Sequence, residues 1–101
     1  MQIEKYKRMI EAFLRNEISA QEFEAQYIDT FLAESRDMND SLFQILDTLF
    51  WAVDSYSPDC IPGQETAFII SEKRLREEAR EALARLVAFG NASTGTKQRD
   101  Q

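Results

Sequence analysis

The chain has 101 residues, of which 44% are hydrophobic, three are glycine and two are proline, so it fits one domain, favours helices and argues against a sandwich or barrel. The net charge is −6, and residues 34–65 carry all of that imbalance, with seven acidic residues and one basic residue. Because phosphates would be repelled there, direct nucleic-acid binding through this region is not expected.

The first two helices are predicted from apolar spacing and from a cap. Residues 3–16 repeat apolar side chains at helical intervals, which predicts helix one. Ser19 and Glu22 have the spacing of a capping box, and Ile18 and Phe23 occupy the flanking positions of a hydrophobic staple. Helix two is therefore expected to begin at Ser19 and to run to about residue 33.

Helix three is expected over residues 40–56. Asn39, Asp40 or Ser41 is suited to cap it, and Ser41 with Gln44 would make a second capping box. The helix must end at or before residue 57, because Pro58 disfavours helical geometry in the residue ahead of it. Its apolar face is Leu42, Ile45, Leu46, Leu49, Phe50 and Val53.

A long loop and a fourth helix complete the chain. Residues 57–66 are predicted to form the loop, with a turn at Pro62-Gly63, and residues 67–70 are either extended or a short apolar plug. Ser71 is expected to cap a helix over residues 72–89 that ends at Gly90. Residues 91–101 lack a core pattern and are expected to be a disordered tail.

These elements predict an all-α fold, a compact antiparallel four-helix bundle with one long loop between helices three and four. Residues 1–90 would form the single domain. An alternative arrangement is two helical hairpins that need a partner to complete their core.

Asp40, Asp47 and Asp54 are spaced seven residues apart on helix three, and Trp51 lies among them. Seven residues are two helical turns, with a drift of only ~20° per repeat, so the three carboxylates and the indole share one stripe. The stripe faces away from the apolar side of the helix. Aligned negative charge around a large aromatic side chain suits a cationic partner, such as the phosphate-binding site of a nuclease.

Two interpretations of this stripe are open. Most charged faces are simply solvated, and residues 57–70 would then cover Trp51. Against that, the helix carries no lysine or arginine, whereas solubilising faces usually mix signs. Trp51 also lies roughly opposite Leu42, Leu49 and Val53, where a core tryptophan is not expected.

Nothing in the sequence indicates an enzyme or a cofactor. Histidine is absent, which removes the usual catalytic base and the commonest transition-metal ligand, and we expect no metal site. Cys60 is the one cysteine, so no internal disulfide can form. No run approaches the ~20 apolar residues of a membrane helix, and the N-terminal residues do not resemble a signal peptide. We therefore expect a cytoplasmic protein without membrane contact.

Three segments resemble the colicin D immunity protein family. Residues 46–59 (LDTLFWAVDSYSPD) are similar to the third-helix-and-loop signature of that family. Residues 18–23 (ISAQEF) resemble the family's entry to helix two, and residues 75–78 (LREE) its entry to the last helix. The resemblance covers about residues 5–88.

The resemblance implies a helical bundle that binds the cytotoxic nuclease domain of a bacteriocin or contact-dependent inhibition toxin. In such families the toxin cleaves transfer RNA, and acidic side chains of the immunity protein cover its basic cleft. Asp54 and Asp59 match acidic positions of the pattern, and Asp47 is a weaker match. Trp51 replaces a less bulky family residue. The full set of candidate partner-binding residues is Asp40, Asp47, Trp51, Asp54, Tyr56, Asp59 and Glu65.

The leading hypothesis is thus a non-enzymatic immunity protein, monomeric when free, whose partner is a cognate basic nuclease domain. The second hypothesis is a helical interaction module or adaptor that forms homodimers through Trp51. The third is a small enzyme with a carboxylate-bound divalent ion, for which no residue pattern provides support.

Overall fold

The computed structural model describes the backbone of residues 2–99 and the side chains of residues 3–90. The described chain is helical, as predicted, and contains one isolated bridge between Tyr56 and Ile70. Its elements are α1 (Gln2–Leu14), α2 (Ala20–Glu34), a 3-10 turn (Ser35–Asp37), α3 (Asp40–Ser55) and α4 (Glu72–Arg99).

The start of α2 confirms the predicted capping box. The backbone N–H of Glu22 donates to Ser19 Oγ at 3.0 Å, and the N–H of Ser19 donates to Glu22 Oε1 at 2.8 Å. Two otherwise unpaired backbone donors are therefore satisfied by local side chains. Between α1 and this cap, Asn16 adopts a φ of 64°, a left-handed conformation that asparagine tolerates. This conformation prevents the helix from continuing beyond the end of α1.

The cap of α3 is Asn39, one of the three predicted residues. Its Oδ1 accepts hydrogen bonds from the N–H groups of Ser41 at 2.8 Å and Leu42 at 3.2 Å. The predicted box of Ser41 with Gln44 is wrong, because Asn39 takes the cap and leaves Ser41 inside the helix.

The last helix is longer than predicted. Helix α4 was expected to end at Gly90, and this is wrong, since α4 continues through Gly90 to Arg99. A glycine in a helix costs only ~1 kcal/mol relative to alanine, which weakens a helix without ending it. The division into a domain of residues 1–90 and a disordered tail of residues 91–101 stays a prediction. The side chains of 91–99 and all of residues 100–101 lie outside the described residues.

The core is rich in aromatic rings from α1 and α2. Phe13 stacks on Phe23 with ring centroids 4.5 Å apart, and Tyr6 meets Tyr27 edge-on at 5.7 Å. The buried Tyr27 hydroxyl donates to the carbonyl of Leu46 in α3 at 2.8 Å. Contacts between α1 and α2, α2 and α3, α3 and α4, and α4 and α1 link the helices, which fits a four-helix bundle. The antiparallel order of neighbours stays a prediction.

Residues 56–71 connect α3 to α4 and are fixed at both ends. The N–H of Ile70 donates to the carbonyl of Ser55 at 2.9 Å, and the N–H of Ser57 donates to the carbonyl of Ile70 at 3.0 Å. Ile70 is fully buried, but Phe68 is 80% exposed and Ile69 46%, so the predicted apolar plug of residues 67–70 is wrong except at Ile70. Within the connection, Gly63 has a φ of 97°, as a type II turn after Pro62 requires.

Candidate partner-binding surface

The three seven-spaced aspartates of α3 are exposed. Asp40, Asp47 and Asp54 all lie on the solvent side of the helix. Among the described residues, none of the three forms a salt bridge. The ion pairs found there join α1 to α2 or lie within α1 and α4 (Lys5–Glu34, Lys7–Glu4, Lys73–Glu77, Arg74–Glu78, Arg76–Glu72 and Arg85–Glu81). Within residues 3–90, the carboxylates of α3 therefore have no cation paired with them.

Trp51 is hydrogen-bonded at one edge of its indole and partly exposed to solvent. Its indole N–H donates to the carbonyl of Ala67 at 3.1 Å, and the guanidinium of Arg74 lies 5.6 Å from the ring centroid. The side chain remains 36% exposed. Both interpretations of Trp51 hold in part, because the connection takes its polar group while a third of the residue stays in water.

The remaining predicted residues occupy different environments. Asp59 is exposed on the connection after α3, whereas Tyr56 is only 8% exposed and packs at the base of that connection. The Glu65 carboxylate accepts hydrogen bonds from the Ser71 hydroxyl at 2.6 Å and the Ser71 N–H at 3.0 Å. These bonds stabilise its charged form and hold the pKa of Glu65 below its ordinary value.

Glu24 of α2 belongs to the same acidic region and was missed in the sequence. Burial, followed by the nearby charge of Asp54, raises the pKa of the Glu24 carboxyl. Burial also raises the pKa of Tyr56, and the negative charges of Glu72, Glu24 and Asp59 raise it further. The positive charge of Arg76 lowers it in part. The acidic region thus collects carboxylates from α2, α3, α4 and the connection. No sequence signal places Glu24 there, since the pairing depends on how α2 packs on α3.

A groove of about 320 Å³ lies where the α1–α2 turn meets the start of α4. Arg76 closes it by donating to the carbonyl of Phe13 at 3.0 Å and to Asn16 Oδ1 at 2.8 Å. The same guanidinium pairs with Glu72 at 3.0 Å and lies 4.3 Å from the Phe13 ring centroid. Because its donors are engaged, Arg76 holds the fold together here and is not presented to an anion.

The described residues offer no grouping for metal chemistry, since no three Cys, Asp or Glu side chains among them lie close enough to hold an ion. Cys60 is a free, half-buried thiol whose sulfur lies 3.6 Å from the carbonyl of Ile61. No helix in the described part of the chain is long and apolar enough to cross a membrane.

Within the described residues, the exposed aspartates of α3 have no salt bridge and lie on the same helix as a partly open indole, a combination that is typical of protein-binding surfaces. A family model described as bacterial self-protective colicin-like immunity matches residues 1–86. The chain belongs to this family. Its membership confirms the resemblance at the level of colicin-like immunity proteins and makes a cognate toxin the expected partner. Searches of the curated proteins and of the solved structures give no significant match.

Proposed function

We propose that this immunity protein neutralises a nuclease toxin by laying its acidic surface over the toxin's basic RNA-binding cleft. The observation that carries the proposal is the exposure of Asp47 and Asp54 on α3, and of Asp59 beyond it, without an ion pair among the described residues. A cleft that holds RNA phosphates presents lysines and arginines, and those cations would pair with these carboxylates. Inhibition would follow from occlusion, without catalysis by the chain.

Finer assignments belong to the same proposal. The target would be a transfer-RNA-cleaving domain of a bacteriocin or of a contact-dependent inhibition toxin, as for the colicin D immunity proteins. The chain would act in the cytoplasm as a monomer, with antiparallel helices, and would bind no nucleic acid itself. Trp51 would contribute contact area at the edge of the acidic surface. Tyr56 and Glu65 would support the surface from below, because one is buried and the other is bonded to Ser71.

The test is a matched pair of charge reversals. Asp54→Lys places a cation in the acidic surface, whereas Glu11→Lys makes the same change in net charge on α1, whose principal contacts are with α2 and α4. Cells that produce the candidate toxin, the C-terminal domain of the protein encoded by the neighbouring upstream reading frame, would receive each variant. We expect Asp54→Lys to abolish protection with a native circular dichroism spectrum, because a lysine facing the cations of the cleft both slows association and speeds dissociation, and we expect Glu11→Lys to protect like the wild type.

Binding kinetics add a quantitative readout. Reversal of an interfacial charge acts mainly on the association rate, so that of Asp54→Lys should fall by about tenfold at low salt, and the difference should shrink as salt is added. Full protection by Asp54→Lys would remove Asp54 from the interface. If the wild-type chain neither binds nor protects against that domain, the proposed function is wrong.

A further inference from the structure

An exposed apolar turn lies next to the acidic surface. Residues 66–69 form this turn, in which Phe68 is 80% exposed and Ile69 is 46% exposed. Ala67 of the turn accepts the indole N–H of Trp51, so the turn adjoins the partly open tryptophan. Single exposed apolar residues are ordinary, but a group of them beside an aromatic ring is typical of a protein-binding site.

Hydrogen bonds hold the apolar turn in one conformation. The N–H of Thr66 donates to the carbonyl of Ile69 at 2.8 Å, and Thr66 Oγ1 accepts from the N–H groups of Phe68 at 3.2 Å and Ile69 at 3.1 Å. The buried Ile70 follows directly and fixes the end of the turn against α3. Phe68 is thus presented on an ordered backbone, which reduces the entropy lost when a partner binds it.

The charges around the turn select the kind of partner. Asp54 lies one helical turn after Trp51, and neither it nor the exposed Asp59 has a salt bridge among the described residues. Arg74, the cation over the indole, is itself paired with Glu78 at 2.9 Å. Lys73, the other cation whose charge acts on Glu65 beside the turn, is likewise paired with Glu77 at 3.7 Å. Among the described residues, the unpaired charge on the α3 side of Trp51 is therefore negative. A second copy of the chain in a two-fold contact would bring like carboxylates together, so a cationic protein is the better match.

We infer that Phe68 is the apolar anchor of the toxin complex and inserts into an apolar pocket at the rim of the toxin's basic cleft. This inference rests on the proposed function and assigns different roles to the carboxylates and to Phe68. The carboxylates of Asp47, Asp54 and Asp59 speed association and select the partner. Phe68, with the open edge of Trp51 beside it, determines how long the complex lasts, because buried aromatic side chains carry most of the affinity of such interfaces.

The test compares Phe68→Ala with Val87→Ala. Val87 is 42% exposed on α4, thirteen residues beyond Arg74 and so about 20 Å along the helix from Arg74. The probe is the same candidate toxin domain that tests the proposed function, with its activity disabled by substitution, in a surface-binding assay. Phe68→Ala should raise the Kd by at least about thirty-fold, mainly through faster dissociation, without lowering the Tm. Val87→Ala should bind like the wild type.

Each outcome is informative. If the wild type binds the toxin domain and Phe68→Ala binds it with the same Kd, this inference is wrong and the proposed function stands. Equal losses in both variants would also overturn it, because the effect would then not belong to the turn. A wild-type dimer in light scattering that Phe68→Ala dissociates would assign the turn to self-association and overturn the inference. Absence of wild-type binding overturns the proposed function and this inference with it.

Discussion

Arg76 joins α4 to the α1–α2 turn through more contacts than any other charged side chain described. It donates to the Phe13 carbonyl at 3.0 Å and to Asn16 Oδ1 at 2.8 Å, lies over the Phe13 ring and pairs with Glu72 at 3.0 Å. Its side chain is only 19% exposed, so solvent weakens these contacts less than on an open surface. We predict that Arg76→Met, which keeps the apolar stem, destabilises the fold.

The size of the effect follows from the contacts. A hydrogen bond from a charged donor contributes about 1.5–3 kcal/mol, and we take the lower end for each of the two because the site is partly wet. The contact with the Phe13 ring adds about 0.5 kcal/mol, and the exposed pair with Glu72 adds only a few tenths. The loss should be about 4 kcal/mol, a large part of the ~5–15 kcal/mol expected for a domain of this size.

Arg85→Met is the matched control. Arg85 sits on the same helix and pairs with Glu81 at 3.1 Å, but it makes no contact with another helix among the described interactions. Its loss should cost ~0.2–0.5 kcal/mol. Urea unfolding followed by circular dichroism measures the loss of unfolding free energy in each variant. In thermal unfolding, Arg76→Met should lower the Tm by more than ~10 °C. Equal losses in the two variants would refute the account of Arg76 as a link between helices.

Two further predictions concern stability. Tyr27→Phe removes the buried hydroxyl that donates to the Leu46 carbonyl at 2.8 Å, and it should lower the unfolding free energy by about 1 kcal/mol in urea titration; no change would mean that the bond contributes nothing net. Glu65→Gln should cost stability at pH 7, because the hydrogen bonds from the Ser71 hydroxyl and N–H hold the pKa of Glu65 below its ordinary value. This contribution to stability is complete above the unfolded-state pKa and is lost as pH falls through the lower folded-state pKa. The wild type and Glu65→Gln should therefore differ less in unfolding free energy at pH 3 than at pH 7, and an equal difference at the two pH values would contradict the prediction.

The parts of the fold that local chemistry determines were predictable from the sequence. The Ser19–Glu22 box depends on two residues three positions apart, and both of its hydrogen bonds form. The turn at Pro62-Gly63 depends on one fixed φ and one positive φ, and the N–H of Gln64 closes it on the Ile61 carbonyl at 3.1 Å. In each case the interacting groups are neighbours in the chain, so spacing alone identifies them.

The parts that depend on packing were not predictable. Arg76 bonds Asn16 across 60 positions of sequence, and Glu24 meets Asp54 only because α2 lies against α3. The environment of Trp51 stayed open between two interpretations for the same reason, since the path of the connection decides which edge is covered. Phe68 was grouped with a possible apolar plug, whereas only Ile70 enters the core, because the hydrogen bond from the Thr66 N–H to the Ile69 carbonyl closes residues 66–69 into a turn that leaves Phe68 80% exposed.

The distribution of ion pairs explains why α3 rather than α4 is the candidate binding face. On α4, glutamates lie four positions from lysines or arginines and form pairs within the helix, as at Glu72–Arg76 and Glu81–Arg85. On α3 no such cation exists. Its aspartates are seven residues apart, about 10 Å along the helix, which is near the Debye length at physiological salt. Their mutual repulsion is therefore small, while each remains available to a separate cation of an approaching partner. A face built only for solubility would gain nothing from this segregation of sign, but a face that attracts a basic cleft would.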